Sequence, residues 1–103
     1  MPDLLLELYI VGHAPNSVTA VANLTRLCEN QLLGRYQLQI IDVLEHPEAA
    51  EAANIVATPT LVRRAPAPVR RIVGDLSHVE TVLDTLESGG PLIPRLSSKD
   101  PVR

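Results

Sequence analysis

The sequence has few of the side chains that thiol, metal and nucleic-acid chemistry require. Its single cysteine, Cys28, cannot form an intramolecular disulfide and cannot by itself make a zinc site. Two tyrosines are the only aromatic residues, and 9 Lys and Arg stand against 12 Asp and Glu, for a net charge of -3. Because nucleic-acid binding depends on accumulated basic charge and aromatic stacking, these scarcities exclude a general nucleic-acid binder.

A long hydrophobic run is also missing. The apolar run that begins at Leu4 meets Glu7, long before the ~20 apolar residues that a membrane span requires. Met1-Pro2-Asp3 places no basic flank before that run, unlike the start of a secretory signal peptide. We therefore expect a cytoplasmic protein with no membrane partner.

What is present is the aliphatic pattern of a small α/β domain. Apolar residues make up 46% of the 103 residues, and almost all of them are Leu, Val, Ile or Ala. A chain of this size forms one domain with a single modest core. Apolar periodicity and turn residues predict the element order β-α-β-α-β-β-α. The predicted strands are 4–11, 37–45, 60–64 and 69–73, and the predicted helices are 17–33, a short Ala-rich helix after Pro47, and one that opens at Ser77.

Local signals predict where these elements and the domain end. Asn16 or Ser17 can cap the first helix, and Ser77 begins a capping-box pattern for the last one. We assign residues 1–88 to the folded domain. The tail 89–103 is rich in Pro, Ser and single charges, so we expect it to be disordered.

The element order is the thioredoxin-like arrangement, and Thr58-Pro59-Thr60 resembles the proline loop of that fold. In thioredoxins a thiol pair lies at the start of the first helix, where the helix dipole lowers a thiol pKa. Here that stretch is Ala14-Pro15-Asn16-Ser17, which excludes disulfide exchange by that route. Ser17 would need an oriented base to act as a nucleophile, and the nearby His13 has no evident third partner. We therefore expect no enzymatic activity and no cofactor.

The remaining reactive side chains are scattered. His13, His46 and His78 each lie beside a turn or a helix start and show no ligand spacing, which predicts no metal site. Cys28 falls on the apolar stripe of the first helix, so we expect a buried thiol. Thiol chemistry at Cys28 is the enzymatic alternative to a binding function.

Arg63-Arg64 and Arg70-Arg71 form the one local concentration of charge. Positive charge and proline commonly protect an edge strand against aggregation. Planar guanidinium groups also suit an acidic partner surface. The two interpretations are compatible, and the sequence does not choose between them.

Five stretches together resemble the circadian clock protein KaiB family, from about residue 5 to residue 87. They are Leu8-Tyr9-Ile10-Val11-Gly12, Ala14-Pro15-Asn16-Ser17-Val18, Ile41-Asp42-Val43-Leu44 with Pro47 behind it, Ala57-Thr58-Pro59-Thr60-Leu61, and Pro68-Val69-Arg70-Arg71-Ile72-Val73-Gly74-Asp75-Leu76-Ser77. The resemblance implies a thioredoxin relative that lost the redox pair and kept the scaffold as a protein-binding surface. It also implies fold switching between a thioredoxin-like monomer and a resting homo-oligomer, a dimer or tetramer, in which the chain from about Ala57 onward is rearranged.

The same resemblance implies that the monomer binds a KaiC-type ATPase hexamer and modulates its phosphorylation and ATPase cycle in circadian or diurnal timing. A partner that binds the minor fold draws the population towards it. The residues expected to contact the partner are Ala50, Ala53, Asn54, Arg63, Arg70 and Arg71. The residues expected to govern which fold is populated, including candidates for cis proline bonds, are Pro59, Pro66, Pro68, Gly74, Asp75 and Thr85.

Some positions depart from the family pattern. Thr85 stands where relatives often have a glycine inside the last helix, which should favour a continuous helix by a few tenths of a kcal/mol. That substitution favours the thioredoxin-like fold. Relatives often have three consecutive prolines before Val-Arg-Arg, and Ala67 stands here in the place of the middle one. Thr19 and Gln39 stand where relatives carry basic residues associated with KaiA, which argues against coupling to KaiA.

Two alternative functions stay open. Kinases of this system carry an N-terminal KaiB-like domain, so the chain can be a stand-alone sensor domain that recruits a histidine kinase. It can also be a stress-response homologue without a clock. Capture of a kinase in the absence of KaiC would favour the first alternative.

Overall fold

A computed structural model describes residues 4–87, so the predicted tail 89–103 lies outside the described residues. The predicted order β-α-β-α-β-β-α and the thioredoxin-like arrangement are confirmed. The elements are β1 (Leu4–Ile10), α1 (Pro15–Leu27), a π-helical turn (Cys28–Leu32), β2 (Tyr36–Asp42), α2 (Pro47–Ala52), β3 (Thr60–Ala65), β4 (Arg70–Val73) and α3 (Val79–Glu87).

The four strands form one mixed sheet in the order β2-β1-β3-β4. β1 and β2 run parallel, joined by a crossover through α1, whereas β3 is antiparallel to both β1 and β4. The C-terminal ends of β1 and β2 therefore meet the start of β3 at one end of the sheet. Side chains alternate between two faces along each strand, so the register assigns every strand residue to a face.

One side of the sheet, here the helical face, packs against α1, the π-helical turn and α3. Its core is aliphatic, as the composition predicted, and is made of buried residues from the strands, from all three helical segments and from the loop between β4 and α3. They are Leu4, Leu6, Leu8, Ala20, Leu24, Leu27, Cys28, Leu32, Leu61, Leu76, Val82 and Leu86.

The other side, here the open face, packs only against α2 and the segment that follows it. Its buried cluster is small and consists of Tyr9, Ile41, Ala53 and Val62. Because α2 has only six residues, it covers one end of this face. Strand residues beyond it, such as Gln37, Gln39 and Arg71, are exposed. The two faces thus differ in how much of each is left for a partner.

The ends of α1 differ from the sequence prediction. The helix begins at Pro15 with Ala14 as its N-cap, two residues earlier than predicted. Pro suits the first helical position because its missing N–H has no partner there in any case. Ser17 is therefore inside the helix and does not cap it. At the other end the pattern runs on through a π-helical turn, closed by a 3.2 Å hydrogen bond from the Leu33 N–H to the Cys28 carbonyl.

Two other boundaries moved by a few residues. β2 ends at Asp42 rather than at residue 45, because Asp42 turns the chain with its main chain and side chain. Its carboxylate accepts the Leu44 N–H at 2.9 Å, and its carbonyl accepts the N–H groups of Glu45 and His46. α3 begins at Val79, one residue later than a cap at Ser77 implies. No helix within residues 4–87 is long and apolar enough to span a membrane.

Candidate functional site: the proline-loop end of the open face

The start of α1 is where a thioredoxin-like protein would carry its thiols, and its side chains here are structural. Ser17 is fully buried, and its hydroxyl accepts a 3.0 Å hydrogen bond from the Val11 N–H. The Ala14 N–H donates back to the Val11 carbonyl at 3.0 Å, so the loop after β1 is fixed to the helix. His13 is exposed. Ser17 thus holds the loop and is not presented to a substrate.

The one thiol is also withheld from chemistry. Cys28 is 1% exposed, as predicted, and lies beyond the far end of α1, about 20 Å from the start of that helix at the usual rise per residue. Burial raises the pKa of the Cys28 thiol to about 11, with a smaller contribution from the Glu29 charge. The thiol is therefore protonated at neutral pH, and the protonated form is a poor nucleophile. Within residues 4–87, no group of three or more His, Cys, Asp or Glu could hold a metal ion.

The proline loop is present and well anchored. The Thr58–Pro59 peptide bond is cis, and Pro59 is fully buried. The Pro59 carbonyl accepts the Gly74 N–H at 2.9 Å, while the Thr60 hydroxyl donates to the Ala57 carbonyl at 2.6 Å. Gly74 has a φ of +125°, a conformation that side chains rarely adopt. The end of β4 therefore holds the loop in position beside the end of β1.

An open groove lies beside this loop. It has a volume of about 200 Å³ and is lined by Val11, Val43, Ala50, Ile55, Val56, Ala57 and Thr58. Val56 is 94% exposed, and Leu44 in the adjacent turn is 69% exposed. Asn54, with a φ of +57°, ends the short helix and leads the chain into this segment. The sheet end thus presents apolar side chains to solvent where a thioredoxin-like fold has its active-site surface.

The arginines divide between the two faces. Arg63 and Arg70 are register partners and lie on the helical face, whereas Arg71 pairs with Val62 and lies on the open face. Arg63 is 1% exposed. Its guanidinium donates to the carbonyls of Thr85 at 3.2 Å, Leu86 at 3.0 Å and Pro68 at 2.6 Å. Arg63 therefore joins the C-terminal end of α3 to the turn between β3 and β4.

Burial lowers the pKa of the Arg63 guanidinium, and the neighbouring Arg70 charge lowers it further. Carbonyl oxygens at the C-terminal end of α3 carry partial negative charge, which offsets part of the cost of burying this cation. Arg70 is partly exposed, but its Nε and one terminal nitrogen are buried and have no hydrogen-bond partner among residues 4–87.

The open face has one polar cluster at the end opposite the groove. Glu7 Oε1 accepts hydrogen bonds from the Tyr9 hydroxyl and from Arg64 Nε, each at 2.8 Å. Burial and then the Glu7 hydrogen bond raise the pKa of Tyr9. The Glu7 hydrogen bond also raises the pKa of Arg64. Arg64 therefore pairs with Glu7 across the two inner strands, β3 and β1, and the edge-protecting interpretation does not apply to this residue.

The structure brings together only part of the predicted contact set. Ala50, Asn54 and Arg71 lie on the open face or its loop and are at least partly accessible. Ala53 is 2% exposed and packs under α2. Like Arg63, it offers no accessible side chain in this conformation, because both are part of the packing. Direct contact by Ala53 or Arg63 would require a rearrangement of that packing.

The predicted switch residues cluster at both ends of the β3–β4 hairpin. Ala65–Pro66 and Ala67–Pro68 are also cis, in an exposed turn. Asp75 follows Gly74, and its carbonyl accepts a 2.8 Å hydrogen bond from the Asn23 amide. α3 is continuous through Thr85, whose hydroxyl donates to the Thr81 carbonyl at 3.0 Å. A role for these residues in choosing between folds stays a prediction.

Neither the groove nor the acidic character of its surroundings was predicted from the sequence. No Lys or Arg occurs between Arg35 and Arg63, whereas that stretch holds Asp42, Glu45, Glu48 and Glu51. This one-sided distribution was readable from the sequence. The exposure of Val56 was not, because an apolar residue in a short loop gives no indication of whether it is covered.

Comparison with known proteins agrees with this geometry. The N-terminal domain of Synechococcus elongatus SasA has a similar fold, with a TM-score of 0.67 at 22% identity over 100% of this chain and 91% of that one. Mitochondrial thioredoxin 3 from Saccharomyces cerevisiae also has a similar fold, with a TM-score of 0.69 at 19% identity over 84% of this chain and 79% of that one. The circadian clock oscillator protein KaiB of Prochlorococcus marinus (strain MIT 9313) is 51% identical over 83 residues, covering 81% of this chain and 70% of that protein. The KaiB domain model matches residues 7–88. The chain therefore belongs to the KaiB family.

Proposed function

We propose that this protein docks on a KaiC-type ATPase ring through the open face of its sheet and modulates the phosphorylation and ATPase cycle of that ring. The setting is a cytoplasmic circadian or diurnal timing system. Family membership supports the timing role, since the similar curated proteins are named circadian clock proteins. The observation that carries the docking role is the sheet end itself, which keeps the proline loop and an exposed apolar groove but has no thiol.

The open face suits a partner better than the helical face does. Among the described residues, the buried cluster of the helical face has twelve members, whereas the cluster that α2 and the following segment cover on the open face has four. Apolar residues that remain exposed near the groove, such as Leu44 and Val56, are typical of protein–protein contact surfaces. We place Ala50, Asn54 and Arg71 within the contact surface, whereas Arg70 faces the helical side of the sheet and lies outside it.

The test is direct mixing. With a KaiC hexamer in ATP, the protein should elute as a larger species on a sizing column after a day of incubation. Arg71→Ala should weaken this complex. The matched control Arg26→Ala removes an exposed arginine from α1 and should leave the complex unchanged. No larger species at any ratio would contradict the proposal, and capture of a histidine kinase instead would favour the sensor alternative.

Fold switching and self-association belong to the same proposal. A second arrangement of the chain from Ala57 onward, populated in a dimer or tetramer, would make the docking form a minor and slowly replenished one. Amide NMR on a dilution series should then give two sets of peaks for residues 57–87, with the second set losing intensity on dilution. A single set of peaks at all concentrations would contradict the second fold.

A further inference from the structure

The groove beside the proline loop has a main-chain feature that its apolar lining does not explain. Within the described range 4–87, the N–H groups of Val56, Ala57 and Thr58 donate no hydrogen bond. They lie between the end of α2 and the buried Pro59, where the chain bends at residues 57–59. Main-chain N–H groups without an internal partner can donate hydrogen bonds to the carbonyl groups of a bound peptide segment.

The charges around the groove all have one sign. Asp42, Glu45, Glu48 and Glu51 lie in the turn and helix that border it, and residues 36–62 contain no Lys or Arg. The only ion pair in this stretch is a 3.6 Å contact between His46 and Glu48, on exposed side chains. On the other side of the groove, residues 8–25 include no Asp, Glu, Lys or Arg. In these two stretches an occupant of the groove therefore meets four acidic side chains and no Lys or Arg.

From these two features we infer that the groove binds an extended, cationic segment of a partner protein, whose carbonyl groups accept hydrogen bonds from the main-chain N–H groups of residues 56–58. Apolar side chains of that segment fill the space between Val11, Val43 and Val56. Its Lys or Arg side chains, on alternate positions, face Glu45, Glu48 and Glu51. The inference deepens the proposed docking and rests on it only for the source of the segment, which would be the KaiC-type ring.

Two peptides of opposite charge test the inference without the ring. The probes are the capped pentapeptides Arg-Val-Arg-Val-Arg and Glu-Val-Glu-Val-Glu, titrated into the intact protein and followed by amide NMR. The cationic peptide should shift the amide signals of residues 43–58 at low salt, and the shifts should shrink at high salt as the charges are screened. Equal shifts with the anionic peptide, or none with either, would overturn the inference.

A matched pair of variants locates the charge effect. The double substitution Glu48→Gln and Glu51→Gln removes two acids beside the groove. It should raise the dissociation constant of the cationic peptide by roughly fivefold at low salt. Glu29→Gln with Glu80→Gln removes two exposed acids elsewhere and should leave it unchanged. If both double variants bind the peptide equally less tightly, the effect comes from the net charge of the protein, and the assignment of the groove as the binding site is overturned.

The outcomes also separate this inference from the proposed function. A ring that binds the protein while the cationic peptide gives no shift would overturn the groove assignment alone. Peptide binding in the absence of any ring complex would support the groove and contradict the proposed partner. Shifts of residues 43–58 that grow with protein concentration alone would assign the groove to a second copy and overturn the partner-segment assignment.

Discussion

The two faces of the sheet use similar residues for different purposes, and the arginines show this most clearly. Arg63 and Arg71 lie one strand apart in the same hairpin. Arg63 points into the helical face, is buried and holds three carbonyls, whereas Arg71 is exposed on the open face. Strand alternation places Arg63 on the helical face, where its guanidinium is structural. It places Arg71 on the open face, where its guanidinium is accessible to a partner.

Arg63→Met should give the largest effect on stability. The substitution leaves the carbonyls of Pro68, Thr85 and Leu86 without their donor in a buried position, so we expect a loss of about 3 kcal/mol in the free energy of unfolding. Urea unfolding followed by circular dichroism measures it. Arg63→Lys, which keeps the charge and some donor capacity, should lose less, and an unchanged midpoint for Arg63→Met would show that the contact is dispensable.

The pH dependence of the free energy of unfolding tests whether Cys28, in the core of the helical face, is shielded from water. Its pKa is raised from 9.0 to about 11 in the folded state, so its contribution to stability is present below pH 9 and is lost as pH rises through 11. By about pH 10 the loss should reach about 1 kcal/mol. Tyr9, whose pKa is also raised, contributes in the same direction.

The control for this pH dependence is Cys28→Ala. That variant should be less stable at neutral pH because of the cavity, but its stability should fall less steeply between pH 8 and 10. The decrease in stability that remains in Cys28→Ala is the contribution of Tyr9. Identical slopes for the two proteins would mean that the thiol is hydrated.

The Glu7–Arg64 pair should contribute little, because it lies at the partly exposed end of the open face. The two side chains are 23% and 39% exposed, with a 2.8 Å contact. A double-mutant cycle with Glu7→Gln and Arg64→Met should give a coupling energy of about 0.5 kcal/mol, reduced further at high salt. A coupling energy as large as the Arg63 effect would erase the energetic contrast between the faces.

Arg71→Ala should have the smallest effect on the free energy of unfolding, within about 0.5 kcal/mol. Its side chain is exposed, and within the described part of the chain it makes no hydrogen bond or ion pair. The same variant is expected to weaken the complex with a KaiC-type ring. Marked destabilisation by Arg71→Ala would assign it a structural role and remove it from the contact surface.

Element order and the positions of the core residues followed from the sequence because apolar periodicity is a local property. Leu24, Cys28 and Leu32 recur at helical spacing and are all buried. Helix ends were less predictable, since Ser17 has a good capping side chain but forms its hydrogen bond with the preceding loop instead. Pro15 was the signal that outweighed it, because proline is favoured at the first helical position.

The division of the arginines needed the register. Alternation along β3 makes residues 61 and 63 face the same way, so a buried Leu61 already implies an inward Arg63. The sequence could not identify the three carbonyl partners of Arg63, which lie in α3 and in the hairpin turn, 5 to 23 residues away along the chain. The groove likewise depends on how far the six residues of α2 extend over the sheet.

Hydrogen-exchange mass spectrometry, on the protein alone and mixed with a KaiC hexamer in ATP, tests most directly whether the open face is the docking surface. The account predicts slower amide exchange in residues 43–58 on addition of the ring and unchanged exchange in α1, residues 15–27. Protection of α1 with no change in residues 43–58 would contradict it.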